Sequence, residues 1–285
     1  MIKKINYLFQ ALLIYIFFFI GRILGIKISK KIFSIIFFYL GPLFKSKEII
    51  KKNIKTFSQN ISSHEEEKII ENMWKNYGMT FIEYIFLDYY KKKKSHMIID
   101  GEDNLSNLIK ENRPVIFVSG HFANFELMSM EISKKGIPLA TIYRPLNNPF
   151  LNPLMEFMRK KFICKNQIKK GMNGVRDAIE FIKKKYSIAL MIDQRVSEGK
   201  KINFFGKPAL TTTLPAQLSL KYNLGIVPVF IERIEEHKFK IQFQKELNPK
   251  NYVDKIDLTK ELNKILEKMI ISNPNQWIWT HNRWK

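Results

Sequence analysis

From Ile5 to Gly21 the chain carries no charged residue, and Ala11 to Ile20 is unbroken apolar or aromatic sequence. As a helix, these seventeen residues span roughly 25 Å, against a bilayer hydrocarbon core of about 30 Å. Continuing to Ile26 reaches the crossing length but requires Arg22 to snorkel. A second apolar stretch, Ile32 to Phe44, is too short to cross and reads as an interfacial helix. The residues after the first run, Gly21-Arg22-Ile23-Leu24, lack the small-residue pattern of a signal-peptide cleavage site. The pattern therefore predicts a membrane anchor over residues 1–45, crossing or half-immersed. If it spans, the excess of Arg22, Lys27, Lys30, Lys31, Lys45 and Lys47 over Lys3 and Lys4 puts the carboxyl-terminal bulk in the cytoplasm.

Residues 46–285 read as one further domain. Ser63 and Glu66 have capping-box spacing. Behind them Ile69, Ile70, Met73, Trp74, Tyr77, Phe81, Ile82 and Ile85 recur at helical spacing, which predicts one long amphipathic helix ending near the lysine run Lys91 to Lys94. Beyond residue 100 the pattern alternates. Short apolar runs at Val115 to Ser119, Ile137 to Tyr143, Ser187 to Ile192 and Gly225 to Ile231 have the look of strands buried on both faces. Between and after them, amphipathic stretches at Met172 to Ile182, Leu214 to Lys221 and Leu258 to Met269 read as helices. Such alternation predicts an α/β fold with a largely parallel central sheet flanked by helices.

Composition narrows the function classes. Lys and Arg number 48 and Asp and Glu 26, a net charge of +22 that calls for an anionic partner: nucleic acid, lipid headgroups or an acidic protein. The single cysteine, Cys164, excludes a disulfide framework and a cysteine-rich zinc site. His64, His96 and His237 lie at no metal-ligand spacing.

Candidate chemistry follows the VIFVS run directly, in Gly120-His121-Phe122-Ala123-Asn124-Phe125-Glu126. A histidine and a carboxylate five positions apart miss a shared helix face by about 140°. They meet only if the chain turns between them, with His121 on the strand-to-helix loop and Glu126 near the first helical turn. Glu126 would then accept from one imidazole nitrogen and leave the other to take a proton from an alcohol. Backbone amides at the helix start, or the Asn124 side chain, would support a developing oxyanion. Alone, the spacing is weak and better fits a structural histidine.

Residues 100–285 resemble the lysophospholipid acyltransferase superfamily, whose HX4D/E motif carries this dyad. More narrowly, they resemble the late, or secondary, lipid A biosynthesis acyltransferases of Gram-negative bacteria. GHFANFE is similar to that family's GHxGNxE-like block, with Ala123 in place of glycine. In the same order follow Tyr143-Arg144-Pro145 with Asn148-Pro149, Arg159, Asp193-Gln194, Phe204-Phe205-Gly206 with Thr211 to Thr213 and Pro215, Pro228, and a terminal block from Pro274 through Trp277 and Trp279 to Lys285.

The resemblance implies an O-acyltransferase of the bacterial inner membrane with its catalytic domain facing the cytoplasm. It would transfer a fatty acyl chain from a thioester, on acyl carrier protein or coenzyme A, to a hydroxyl of a lipid A precursor. His121 would be the general base and Glu126 its partner, with Asn124, Arg144, Arg159, Asp193 and Gln194 at the substrates. Attack is direct, so no metal, cofactor or acyl-enzyme is expected, and Cys164 has no nucleophile setting. Membrane lipids and the acidic carrier would account for the basic charge. A lysophospholipid or mannosylated phosphoinositide acceptor is the nearest alternative, a non-catalytic basic membrane protein the next. A nucleic-acid binder rests on charge alone and has no recognisable binding module.

Overall fold

The computed structural model describes residues 2–93 and 96–285. The chain opens with helix α1 (Ile2–Phe44), broken once at Gly25, whose φ of 77° and ψ of 166° lie outside the helical region. The stretch expected as a separate interfacial helix is thus the second part of α1. It packs one face on the third helix, burying Ser29, Lys30 and Phe33. Helix α2 (Lys47–Phe57) is capped by Ser46.

Helix α3 (Ser63–Glu83) begins with a capping box made by Ser62 and Glu65, one residue earlier than the Ser63 and Glu66 pair suggested. Ser62 holds the extended backbone an N-cap needs, and its hydroxyl accepts from the Glu65 amide at 3.2 Å. Gly78 brings α1 and α3 together: a Cβ there would lie 2.1 Å from the carbonyl oxygen of Phe33. The long helix expected to reach the lysines stops at Glu83. A tight turn (Tyr84–Phe86) and the short helix α4 (Leu87–Lys92) follow. Lys94 lies outside the described residues.

The rest alternates as β1 (Met97–Asp100), α5 (Glu102–Glu111), β2 (Ile116–Ser119), α6 (Glu126–Lys134), β3 (Leu139–Tyr143), α7 (Asn152–Met158), β4 (Asn166–Lys169), α8 (Met172–Lys183), β5 (Ser187–Met191), β6 (Lys200–Phe204), β7 (Lys207–Thr211), α9 (Leu214–Tyr222), β8 (Ile226–Glu235), β9 (Lys238–Phe243) and α10 (Lys255–Ser272). A five-residue π-helical turn, Arg159–Ile163, extends α7.

Seven strands form the central sheet in the order β1-β9-β8-β2-β5-β3-β4. All neighbours are parallel except β8 and β9, so β9 and β1 run against the other five. The expected α/β architecture holds, with two reversed strands at one edge. Strand β2 is buried at every position, as an apolar run between two layers requires. Strands β6 and β7 form a separate antiparallel hairpin, turned at Phe205 (φ 51°) and Gly206 (φ 71°). Two positive φ angles match the twist of a two-residue hairpin, and glycine takes one of them without strain. That is the local reason for Phe-Phe-Gly here.

Candidate active site

Parallel sheets carry ligands at the carboxyl ends of their strands. Strands β2 and β5 are neighbours, with Ser119 opposite Met191. Two residues past each, His121 and Asp193 therefore come side by side. Asp193 Oδ1 lies 2.7 Å from His121 Nδ1, and Oδ2 accepts the His121 backbone N–H at 2.8 Å. The indole N–H of Trp277 also donates to Oδ2, at 2.9 Å.

Burial alone would raise the Asp193 pKa, but the His121 charge and these three donors outweigh it and bring it down to about 2. With Asp193 ionised and accepting at Nδ1–H, Nε2 of a neutral His121 carries the free lone pair. The imidazole is reachable, with its side chain 18% exposed. Gln194 Nε2 stands 3.5 Å from His121 Nε2, and the Phe125 ring meets the imidazole edge-on at 4.6 Å.

This corrects the expected pairing. Glu126 begins α6, but its carboxylate is committed to other partners. Its Oε1 accepts from Arg159 Nε at 2.8 Å and Nη2 at 2.6 Å, and the Tyr84 hydroxyl donates to the same oxygen. The turn between His121 and Glu126 forms as required, but adjacent strands supply a nearer carboxylate. Arg159, expected at the substrates, is buried and paired with Glu126. Burial lowers its pKa, and the charges of Glu126 and Tyr84 raise it overall. Its Nη1 is buried without a partner among the described residues.

Asn124, expected at the substrates, lies beneath the loop that carries His121. It is fully buried, and its Nδ2 donates to Glu83 Oε2 at 3.0 Å. Glu83 also receives Tyr90, Lys30 Nζ at 2.7 Å and both terminal nitrogens of Arg233. Asn124 therefore pins the loop between His121 and Glu126 to a buried charge cluster fed by α1, α3 and β8.

The carboxyl terminus clamps the same loop. Phe122 bridges to Trp277, the Ala123 N–H donates to the Gln276 carbonyl at 3.1 Å, and the Thr80 hydroxyl donates to the Ala123 carbonyl at 3.0 Å. These contacts hold Ala123 at φ 43°, the left-handed region that glycine enters freely. Trp277, from the terminal block, thus orients the Asp193 carboxylate. His281 is a brace whose Nε2 accepts the Arg195 backbone N–H at 2.9 Å. Arg144 follows β3 at the same sheet edge and is exposed. Nearby Lys170 has its pKa lowered by burial and then by the Arg144 charge, which marks a second cation beside it. Cys164 is buried, and burial raises its thiol pKa.

Sequence reasoning missed Tyr84, Glu83 and Arg233. Glu83 left one signal, a carboxylate between Ile82 and Ile85 on the apolar stripe of the predicted helix.

The chain belongs to the bacterial lipid A biosynthesis acyltransferases, whose family model matches residues 3–285. It is an acyltransferase. It is 27% identical over 256 residues to the lipid A biosynthesis palmitoleoyltransferase of Escherichia coli K12, covering 86% of this chain and 80% of that one. The lipid A biosynthesis lauroyltransferase of the same organism is 22% identical, covering 84% of this chain and 78% of the relative. Among solved structures, the 1-acyl-sn-glycerophosphate acyltransferase of Thermotoga maritima superposes with a TM-score of 0.43 at 14% identity, over 89% of this chain and all of that one.

Proposed function

We propose that the protein acylates a hydroxyl of a lipid A precursor, taking the acyl chain from acyl carrier protein at the cytoplasmic face of the inner membrane. The observation that carries the chemistry is the His121–Asp193 pair at the carboxyl edge of β2 and β5, with only the long 3.5 Å contact from Gln194 at Nε2 among the described residues. His121 Nε2 takes the acceptor hydroxyl proton, and the alkoxide oxygen attacks the thioester carbonyl carbon. The tetrahedral oxyanion collapses, the carbon–sulfur bond breaks, and the thiolate recovers the proton from the imidazolium. Asp193 orients the ring and stabilises its charge. General base catalysis of this kind contributes about 10²- to 10⁴-fold, with positioning supplying more.

Glu126, Arg159 and Tyr84 form the wall that fixes the start of α6, so Glu126 acts through position rather than by touching the ring. Exposed Arg144 and nearby Lys170 offer positive charge to the acceptor's phosphates, and the net charge of +22 attracts an acidic carrier and anionic headgroups.

Acyl transfer by the detergent-solubilised full chain tests this, with labelled acyl carrier protein, a tetra-acylated sugar-bearing lipid A precursor, and His121→Ala beside wild type. Mass-shifted product from wild type alone is expected. Equal product from both would remove His121 as base. Acylation of a lysophospholipid in preference to the precursor would overturn the acceptor, and transfer from acyl-coenzyme A alone would overturn the donor.

A further inference from the structure

Resting on the acyl-transfer reading above, we infer that Gln194 is a catalytic residue: its side-chain amide donates to the acceptor hydroxyl oxygen while His121 Nε2 takes that oxygen's proton. Asn124, the amide expected to support developing charge, is committed to Glu83 at 3.0 Å. Gln194 is the amide that stands at the ring, with its Nε2 3.5 Å from His121 Nε2. Consecutive residues past β5 thus meet both imidazole nitrogens, Asp193 at Nδ1 and Gln194 at Nε2. The Gln194 side chain is half-buried and makes no other hydrogen bond among the described residues, which leaves its amide open to a ligand.

The backbone under it is pinned on both sides. The Ile192 N–H donates to the Ser119 carbonyl at 2.9 Å, which carries the β2–β5 pairing up to Asp193. Asp193 is fixed by the His121 amide and the Trp277 indole. On the other side the Arg195 N–H donates to His281 Nε2 at 2.9 Å, and the His281 carbonyl accepts from Asn53 Nδ2 at 2.8 Å. Gln194 is therefore carried by a loop with little freedom left to lose when a substrate arrives.

The direction of the contact follows from the tautomer. Nδ1–H is given to Asp193, so His121 Nε2 is an acceptor and the glutamine nitrogen turns an N–H toward it. At 3.5 Å the two nitrogens are too far apart for a strong bond, yet one oxygen can lie about 2.8 Å from each. An acceptor hydroxyl at that place gives its proton to Nε2 and receives the Gln194 N–H on a lone pair. As the O–H bond breaks, its electron pair stays on oxygen, and the bond from Gln194 becomes charge-assisted, roughly twice as strong as a neutral one. An interaction that strengthens in this way acts on kcat rather than on substrate affinity. A neutral amide suits the position, because a cation there would repel the imidazolium formed in the same step.

Steady-state acyl transfer by the full chain tests the role, with the lipid A precursor and, in parallel, a lysophospholipid as acceptor. Gln194→Ala is expected to lower kcat by roughly 10²-fold, the low end of the cost of one such donor, with the acceptor KM within about threefold of wild type. Gln194→Glu keeps the shape but turns an ionised oxygen toward the forming alkoxide, and is expected to lose at least as much. Both variants are expected to keep the wild-type unfolding midpoint. A wild-type kcat in Gln194→Ala, or a raised KM alone, would overturn the proposal. So would a Gln194→Glu rate close to wild type, the mark of a side chain that only fills space, or losses of rate matched by losses of midpoint. A wild-type chain that acylated neither acceptor would defeat the acyl-transfer reading and this proposal with it. An active wild type beside an unimpaired Gln194→Ala would defeat the proposal alone.

Discussion

Asp193 holds His121 at two points, accepting the backbone N–H at 2.8 Å through one oxygen and meeting Nδ1 at 2.7 Å through the other. The same carboxylate that orients the ring therefore fixes the backbone on which the ring is mounted. Rotation of the imidazole and displacement of its loop are restrained by one residue.

Three donors converge on Asp193: the His121 ring, the His121 amide and the Trp277 indole. Asparagine offers one acceptor oxygen and aims an NH₂ group at a donor. Asp193→Asn is therefore expected to lower kcat by roughly 10²- to 10⁴-fold, the range of the general base step itself. Trp277→Phe removes one charge-assisted bond, worth about 1.5–3 kcal/mol, and is expected to fall between that variant and wild type. Steady-state acyl transfer checks both. A Trp277→Phe rate as low as that of Asp193→Asn would mean that the indole does more than orient.

Ala123 tests the loop. Replacement by glycine relieves left-handed strain of about 1–2 kcal/mol. It also frees the unfolded chain by about 0.4–1 kcal/mol and removes a buried methyl group worth about 0.8 kcal/mol. These terms nearly cancel, so Ala123→Gly is expected to change stability by less than about 1 kcal/mol and to retain activity. A β-branched side chain has no such relief, and Ala123→Val is expected to cost more than about 2 kcal/mol with loss of acyl transfer. Thermal unfolding beside initial rates separates the two.

Acid stability follows from Glu83. Burial raises its pKa, but Arg233 and Lys30 bring it down from 4.5 to about 2. The native state thus binds fewer protons than the unfolded chain between those values, and stability rises with pH across the window. At 1.36 kcal/mol per pH unit the depression is worth about 3 kcal/mol, present above pH 4.5 and lost as pH falls toward 2. Glu83→Gln is expected to lower stability at pH 7 by about 3–5 kcal/mol, because it strands two buried cations. It is also expected to flatten the acid dependence. Urea unfolding from pH 6 to pH 2.5 reads both, and an unchanged slope in the variant would show that other carboxylates govern the acid limb.

Much of the frame was legible because it is written locally. Val115 to Ser119 is apolar at every position because β2 lies between two layers, and Met172 to Ile182 shows its period because α8 has one wet face. Strands β4 and β9 escaped because Asn166–Lys169 has one apolar residue, Ile168, and Lys238–Phe243 is apolar only at alternate positions. Strands β6 and β7 form a hairpin outside the main sheet and are equally polar. The site divides in the same way. His121, Glu126, Arg159 and Asp193 stood out by type and position, but which of them pair did not. His121 and Asp193 are 72 residues apart, and they meet only because β5 inserts between β2 and β3. A carboxylate five residues away was the natural choice by spacing. It was already committed to a guanidinium 33 residues downstream.

That commitment yields a thermodynamic test. Glu126 and Arg159 are both buried, joined at 2.6 and 2.8 Å, and Arg159 reaches the Tyr84 hydroxyl at 3.1 Å. Desolvating both charges offsets much of their attraction, so the intact pair contributes little net stability, whereas removing one member leaves the other unpaired. Glu126→Ala is accordingly expected to cost about 3–5 kcal/mol. Arg159→Met keeps most of the side-chain volume, and Glu126→Ala with Arg159→Met is expected to recover more than half of that loss. A double-mutant cycle by urea unfolding gives the coupling directly. Additive losses would mean that the pair is not a unit. Recovered stability without recovered acyl transfer would show that this wall positions the substrates as well as supporting the fold.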